Sequence, residues 1–138
     1  MAKKDVILQT LAVADQVIEA KDGKKSLIGI FNQIFVKSVP ATHSRMTLFA
    51  TFVGESERSE TVQITLESPS GKKIFDNTIK FKFGSNDKAD VIINFEGMPL
   101  EEVGSYSLMV KLKEKVLGKY VIQVIQVKEQ NAGDSIIN

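Results

Sequence analysis

The sequence predicts an all-β domain, an antiparallel sandwich of two sheets with about seven to nine strands. Apolar and polar residues alternate with a period of two along most of the chain, and turn-forming residues interrupt the alternation at short intervals. No helical pattern long enough for a crossover connection separates these segments, which disfavours a parallel sheet. The chain of 138 residues is the size of one domain and is long enough to bury a hydrophobic core.

The first segment, residues 6–19, is compatible with a strand and with a helix. Some of its apolar residues lie at helical spacing, but its β-branched content and the Asp22-Gly23 turn before Leu27–Val36 favour a hairpin of two strands. We therefore predict strands here. Straight alternation places Asp15 on the apolar face, which requires a bulge or a hydrogen bond at that position.

The remaining strands follow the alternation directly. They are predicted over 46–52, 62–66, 79–83, 91–95, 106–112 and 120–127, with turns at 54–60, 68–71, 84–87, 97–99 and 117–118. Phe49 is an exception, because it lies on the face opposite Met46, Leu48 and Phe52. Either this strand is buried on both sides or Phe49 belongs to a contact surface, which makes Phe49 a candidate interaction residue.

Two passages resemble known families. Gly97 to Leu100 and then Gly104-Ser105-Tyr106, followed by an alternating strand, resemble the end of immunoglobulin-like sandwich domains, in which the tyrosine hydroxyl bonds back to an upstream loop. A broader similarity runs from Leu27–Ile34 through Val39-Pro40 to this region. It is similar to a family of small uncharacterised β-sandwich proteins from bacteria and their phages, a domain of unknown function. The resemblance implies the fold and supplies no activity or catalytic residue.

Charge and composition exclude several functional classes. Lys plus Arg number 18 and Asp plus Glu 17, so no net field draws the chain to nucleic acid or anionic lipid, and the absence of cysteine excludes disulfides and thiolate sites. The start imitates a signal peptide, but Asp5, Gln9 and Thr10 interrupt its apolar run, and no stretch is long enough to span a membrane. We expect a cytoplasmic protein without a membrane partner.

The sequence contains no catalytic or metal-binding motif. His43 is the only histidine and lies near Ser44 in a predicted loop, but no Gly-x-Ser-x-Gly motif or orienting acid accompanies it, so we interpret it as a solvated residue. We expect no enzyme activity, no cofactor and no histidine-based metal site. Calcium remains an alternative if turn acids meet at one end of the sandwich; the candidates are Asp22, Asp76, Asp87 and Asp90.

Lysines are the other candidate interaction residues. Lys80 and Lys82 share one strand face, as do Lys111, Lys113 and Lys115, and the two groups form a basic stripe for a polyanion if their strands are adjacent. A solvated face is favoured, because there are only two arginines, no interleaved aromatic residues, and edge lysines also prevent aggregation. Nucleic acid is therefore not an expected partner. Carbohydrate is not expected either, because the chain has no tryptophan.

The sequence leaves the function open mainly between two classes, and an enzyme is a third, which a nucleophile and an acid beside His43 would favour. The first is a non-enzymatic protein-interaction or structural module that contacts a protein partner or a second copy through sheet edges, an outer face or loops. The second is a small-ligand or ion-binding domain, which a pocket containing Asp22, Asp87 and His43 would favour. The predicted domain covers residues 1–128, and 129–138 form a predicted flexible polar tail whose Ile136-Ile137 is a conceivable donor strand.

Overall fold

Nine strands make up the fold in the computed structural model, which describes residues 5–128. They are β1 (Ile7–Glu19), β2 (Lys25–Ile30), β3 (Gln33–Val36), β4 (Ala41–Val53), β5 (Ser59–Glu67), β6 (Lys73–Lys82), β7 (Lys88–Leu100), β8 (Gly104–Leu112) and β9 (Lys115–Gln126). The prediction of strands over residues 6–19 is confirmed. The predicted tail and the first four residues lie outside the described residues.

The strands form two sheets that pack face to face. The four-stranded sheet has the order β2-β1-β4-β7, and the five-stranded sheet has the order β3-β9-β8-β5-β6. The predicted all-β sandwich is confirmed. One detail differs, because β3 pairs with β9 in parallel whereas all other pairs are antiparallel.

The parallel pair arises because the chain changes sheets between β2 and β3. The single strand expected over residues 27–36 is broken at Phe31 and Asn32, whose carbonyls accept hydrogen bonds from the Tyr120 hydroxyl at 2.5 Å and the Gln123 N–H at 2.8 Å. These bonds satisfy the backbone at the crossing point. The strand β2 therefore forms an edge of the four-stranded sheet, and the next strand in the chain, β3, forms an edge of the five-stranded sheet.

The core lies between the inner faces of the two sheets, as the alternation predicts. In β4 the inward residues are fully buried and pack against fully buried residues of β5 and β8; the set includes Met46, Leu48, Ala50, Phe52, Val62, Ile64, Leu66, Leu108 and Val110. Tyr106 closes one end of this core. Its hydroxyl donates to the Glu102 carbonyl at 2.7 Å and lies 3.3 Å from the Glu102 N–H, so the expected tyrosine contact with the upstream loop is confirmed.

Two predicted turns are wrong. Gly97–Pro99 lies inside β7, where Gly97 takes a positive φ of 66° and Met98 is buried opposite His43. Leu117 and Gly118 lie inside β9, and the turn falls at Lys113 and Glu114 instead. Gly118 serves close packing, because a Cβ there would overlap the side chain of Leu8. In both places a glycine within a strand was predicted to lie in a turn between strands.

No helix among residues 5–128 combines the length and the apolar character that a membrane span requires.

Candidate interaction surfaces

The β1–β2 hairpin, residues 14–30, crosses the outer face of the four-stranded sheet. Near its tip, the Lys25 ammonium lies 3.0 Å from Asp90 Oδ2 and 3.6 Å from Glu19 Oε2. Asp90 belongs to β7 and also accepts a hydrogen bond of 3.0 Å from the Thr51 hydroxyl of β4. Because β4 lies between β1 and β7, the hairpin reaches Asp90 only by passing over the outer side of β4.

This crossing buries outward-pointing side chains of β4. Thr47, Phe49 and Thr51 alternate with the core residues, yet each is buried, and Phe49 is only 9% exposed. Phe49 is not part of the main core between the sheets. The strand is therefore buried on both sides, which was one of the two alternatives for Phe49, and this side chain does not offer an exposed contact surface.

The outward side of the hairpin is apolar. Cross-strand pairs share one side of a hairpin, and the pairs Ala14–Ile30, Gln16–Ile28 and Ile18–Ser26 place three isoleucines on the same side. Ile18, Ile28 and Ile30 are 43%, 47% and 62% exposed, whereas Val17 and Leu27 on the opposite side are half-buried. We call Ile18, Ile28 and Ile30 the isoleucine face.

The isoleucine face adjoins an edge without charged residues. β2 is the last strand of its sheet, and residues 26–30 contain no charged side chain. Exposed edge strands are normally protected by lysines, prolines or a covering segment. The only charged residue of β2, Lys25, is bonded to Asp90. Sequence reasoning missed this edge, although Leu27, Ile28 and Ile30 already departed from strict alternation.

Gly29 fixes the path of the hairpin opposite Asp15. Gly29 has a φ of 73°, and a Cβ at this position would overlap the Asp15 carboxylate. Asp15 is exposed, because β1 stops pairing with β4 at Ala14 and continues in the hairpin. It neither forms a bulge nor lies in the core.

Asp15 separates two depressions in the surface. An open groove of about 340 Å³ is lined by Asp15, Phe31, Gln33, Ile34, Phe35 and His43. A polar cleft of about 250 Å³ is lined by Asp15, Gln16, Val17, Arg45, Thr47, Asn94 and Glu96. Both are open to solvent, so neither encloses a small molecule in the way ligand pockets usually do.

His43 lies in β4 and not in a loop, so its interpretation as a solvated loop residue is wrong. Its ring centroid lies 5.6 Å from that of Phe31, and the residue is half-buried. Burial lowers the pKa of the imidazole, and the nearby Asp15 carboxylate opposes this shift. In the described part of the chain, Nε2 has no hydrogen-bond partner and no serine hydroxyl bonds to the ring. The arrangement offers no nucleophile for a catalytic pair.

The candidate lysines lie on the outer face of the five-stranded sheet and around its β8–β9 turn. Lys80 and Lys82 belong to β6 and Lys111 to β8. Because β5 lies between these strands, they are not adjacent and do not form the stripe that adjacent strands would have made. Lys113 is in the turn after β8 and Lys115 begins β9. Lys82 pairs with Glu57 at 3.2 Å.

Lys119 of β9 lies on the same outer face, opposite Met109. Lys119 was not among the predicted lysines, because the last strand was expected to start at residue 120, whereas β9 starts at Lys115. Continuing the alternation of Val121 and Gln123 backwards would have placed Lys119 on the outer face.

The acidic candidates for calcium do not converge. Asp76 accepts hydrogen bonds from Gln63 at 2.8 Å and Lys73 at 3.3 Å, Asp22 accepts the Lys24 N–H, and Asp90 holds Lys25. The Gln63 bond and then Lys73 lower the pKa of the Asp76 carboxyl. Within residues 5–128 no group of three or more histidine, aspartate or glutamate side chains is arranged to hold a metal ion.

A smaller pocket of about 160 Å³ lies beside Ser68, Lys72 and Tyr106. Next to it Glu102 accepts hydrogen bonds from the Ser70 hydroxyl and backbone N–H, and the hydroxyl bond lowers the pKa of the Glu102 carboxyl. These contacts fasten the β5–β6 turn to the loop before β8. We interpret the pocket as part of the packing around this closed end.

The sequence belongs to DUF6941, a family of unknown function, whose model matches residues 9–125. The resemblance to a domain of unknown function is thereby confirmed, and the family assigns no activity. No curated protein matches the sequence.

Solved structures show the same fold at low identity. An immunoglobulin-like protein from Pseudomonas aeruginosa is 13% identical with a TM-score of 0.51, covering 90% of this chain and 99% of that one. The Pseudomonas fluorescens alkylpurine DNA glycosylase AlkC bound to DNA is 13% identical with a TM-score of 0.54, covering 89% of this chain and 31% of that one. A Listeria innocua β-glucosidase is 9% identical with a TM-score of 0.52, covering 92% and 16%.

The chain therefore spans about a third of the glycosylase and about a sixth of the β-glucosidase, but nearly all of the immunoglobulin-like protein. Identities this low support the immunoglobulin-like fold alone, because one fold serves many functions.

Proposed function

We propose that this protein is a non-enzymatic interaction module that binds the strand of a protein partner along the free edge of β2. One observation carries the proposal: the isoleucine face is exposed beside an edge strand that carries no free charge. A partner strand added to β2 would pair with its backbone and cover Ile28 and Ile30. Burying apolar surface then contributes binding free energy at about 25 cal/mol per Å² before the entropic cost of association.

The hairpin is suited to hold this edge in place. Gly29 and Asp15 fix its course, and the Lys25–Asp90 pair fastens its tip to β7. A recognition edge that is ordered before binding loses less conformational entropy when the partner arrives. The proposed activity therefore needs no rearrangement of the sandwich.

The alternative of a ligand site formed by Asp22, Asp87 and His43 has no supporting observation. No described pocket contains two of these residues. We therefore propose a single function for the hairpin.

The test is a purification of the tagged full chain from its native cells, read as the native mass of the eluted complex. The test variant is Ile28→Lys with Ile30→Lys, which places charges on the edge. The matched control is Ile7→Lys, which changes an isoleucine that is 58% exposed outside the isoleucine face. We expect wild type and control to elute as a stoichiometric complex and the test variant to elute alone.

Hydrogen exchange locates the contact in the same samples. The amides of residues 26–30 should exchange more slowly in the complex than in the free chain, because a partner strand would bond to them. A complex that survives both edge substitutions, or protection confined to other strands, would refute the role of β2.

A further inference from the structure

The outer face of the five-stranded sheet carries a diagonal line of lysines. Lys119 of β9 lies opposite Met109, Lys111 of β8 lies two residues further along and opposite Gln63, and Lys80 of β6 lies opposite Thr61. We call Lys80, Lys111 and Lys119 the lysine face. With strands about 4.8 Å apart and a rise of about 3.3 Å per residue, their Cα atoms lie roughly 8 Å and 12 Å apart along the line.

Protection of a sheet edge explains only part of this set. β6 is an edge strand, so Lys80 also fits the common pattern in which edge lysines prevent aggregation. Lys111 and Lys119 lie on β8 and β9, which have neighbours on both sides. Two of the three charges therefore need another explanation.

The three ammonium groups are not neutralised by close carboxylates. In the described part of the chain, none of them has a carboxylate oxygen within 4.0 Å, whereas the neighbouring Lys73 and Lys82 pair with Asp76 and Glu57. Asp76 interacts electrostatically with Lys111 at longer range. Lys113 and Lys115 add charge at the adjacent turn, with Glu114 between them.

The near-zero net charge of the chain conceals this local excess. The outer side of the opposite sheet carries Asp90 and Glu96, but Lys25 bonds to Asp90 there and Arg45 lies opposite Glu96. The opposite face therefore holds charges of both signs in contact, whereas Lys80, Lys111 and Lys119 have no carboxylate oxygen within 4.0 Å among the described residues. A local positive potential attracts an anion even when the whole molecule is almost neutral.

The chemistry of the lysine face favours phosphate over other anionic partners. Lysine ammonium groups act as point charges towards phosphates, and exposed hydroxyls such as that of Thr61 between them can donate to phosphate oxygens. No arginine or aromatic side chain lies among Lys80, Lys111 and Lys119 on the paired strands, so bidentate base contacts and base stacking are absent there. Three apolar side chains share this face, the half-buried Met109 and the exposed Val116 and Val121, but none of them is an aromatic anchor of the kind enriched in protein interfaces.

We propose that the lysine face binds the phosphodiester backbone of nucleic acid without regard to base sequence. The sequence alone did not favour this partner, because the chain has only two arginines and no aromatic residues interleaved with the lysines it considered. The diagonal line depends on Lys119 and on β5, which separates Lys111 from Lys80 by neutral side chains. This site lies on the sheet opposite the isoleucine face and does not depend on the proposed strand binding.

The experiment titrates the full chain into a short fluorescein-labelled duplex and into the matching single strand, followed by fluorescence anisotropy. If about four phosphates are contacted, the logarithm of the binding constant should fall with the logarithm of salt concentration with a slope of about −3.6 for the duplex and about −2.8 for the single strand. For the duplex this is roughly a hundredfold loss of binding between 50 and 200 mM salt. Scrambling the base sequence should leave the binding constant unchanged.

Two triple variants with the same change of charge locate the site. Lys80→Gln with Lys111→Gln and Lys119→Gln removes the lysine face and should reduce the magnitude of the slope by about 2 to 3. The matched control changes three exposed lysines near the hairpin turn and the start of β7, Lys21, Lys24 and Lys88, each to Gln. The control should keep the wild-type slope.

Lys111 is half-buried, so a double variant of the exposed Lys80 and Lys119 is measured beside the triple variant, with thermal unfolding to verify folding. The double variant should lose about 2 units of slope. Equal losses in the control triple variant would overturn the proposal, as would binding to phosphatidylserine vesicles or polyglutamate in the absence of binding to either oligonucleotide.

Discussion

The outer faces of the two sheets differ in whether another segment of the chain covers them. Along β4, the outer face of the four-stranded sheet is covered by its own β1–β2 hairpin, which buries Phe49 and presents the isoleucine face to solvent, whereas Ile92 of β7 opposite Phe49 is 40% exposed. The outer face of the five-stranded sheet has no covering segment among the described residues and carries Lys80, Lys111 and Lys119. An apolar residue on the first face therefore contributes to stability, whereas the second face is free to hold charge.

The comparison shows that alternation fixes which residues point outward but not whether outward means exposed. Phe49 and Met109 both point away from the core between the sheets. Phe49 is buried because a second layer lies over it, and Met109 stays half-exposed because none does. Substituting each residue and measuring the free energy of unfolding therefore shows how much the covering layer contributes.

The largest expected effect is the loss of Phe49. Phe49→Ala should lower the free energy of unfolding by about 3 kcal/mol, because it leaves a cavity beneath the hairpin. Met109→Ala should cost less than about 1 kcal/mol, because much of its side chain is already in water. Urea denaturation of both variants measures the difference. Equal losses would mean that the hairpin does not cover the sheet.

A smaller effect is expected where the hairpin begins to cross the sheet. Gly29→Ala should cost about 2 kcal/mol, because the backbone has a positive φ and the new Cβ meets the Asp15 carboxylate. Gly71→Ala is the matched control, because Gly71 also has a positive φ but an added Cβ there meets nothing within 4 Å.

The difference between the two glycine variants isolates the contact with Asp15. Adding Asp15→Ala should recover part of the stability lost in Gly29→Ala and none of that lost in Gly71→Ala, as measured by a double-mutant cycle in urea. Recovery in both backgrounds would contradict a specific contact between Asp15 and Gly29.

The smallest expected effect is a dependence of the folding stability on pH, which arises from His43. Burial lowers the pKa of His43, so the unfolded state binds a proton more readily than the folded state. The stabilisation from a neutral His43 is complete above the unfolded pKa of about 6.5 and is lost as the pH falls below it. The nearby Asp15 carboxylate reduces this loss.

Urea denaturation at neutral pH and near pH 5 measures this effect, and His43→Gln should remove it. Amides near His43 should exchange faster at the lower pH after correction for intrinsic rates. Amides around Lys111 and Lys119 should not change, because lysine stays charged throughout this range. A steeper loss of stability in His43→Gln than in wild type would contradict the assignment.

Alternation predicted the class of fold and most strands, because these features depend on residues close in sequence. The Tyr106 contact was instead expected from the resemblance of Gly104-Ser105-Tyr106 to immunoglobulin-like domains. Alternation did not predict the roles of Gly97 and Gly118, because a glycine within a strand and a glycine in a turn look the same without the neighbouring strand. The same limit applies to the candidate sites. Phe49 was singled out correctly as unusual, but only the hairpin above it decides that it is buried.

The sequence by itself determined that this protein is a β-sandwich with alternating strands, since the period of two is a local property of each segment. The tertiary structure alone decided which strands are neighbours, that β3 joins β9 in parallel, and that the β1–β2 hairpin covers one sheet while the other keeps an open lysine face. Those outcomes depend on pairings between residues far apart in the chain, and the local pattern of a segment does not specify which distant strand it pairs with.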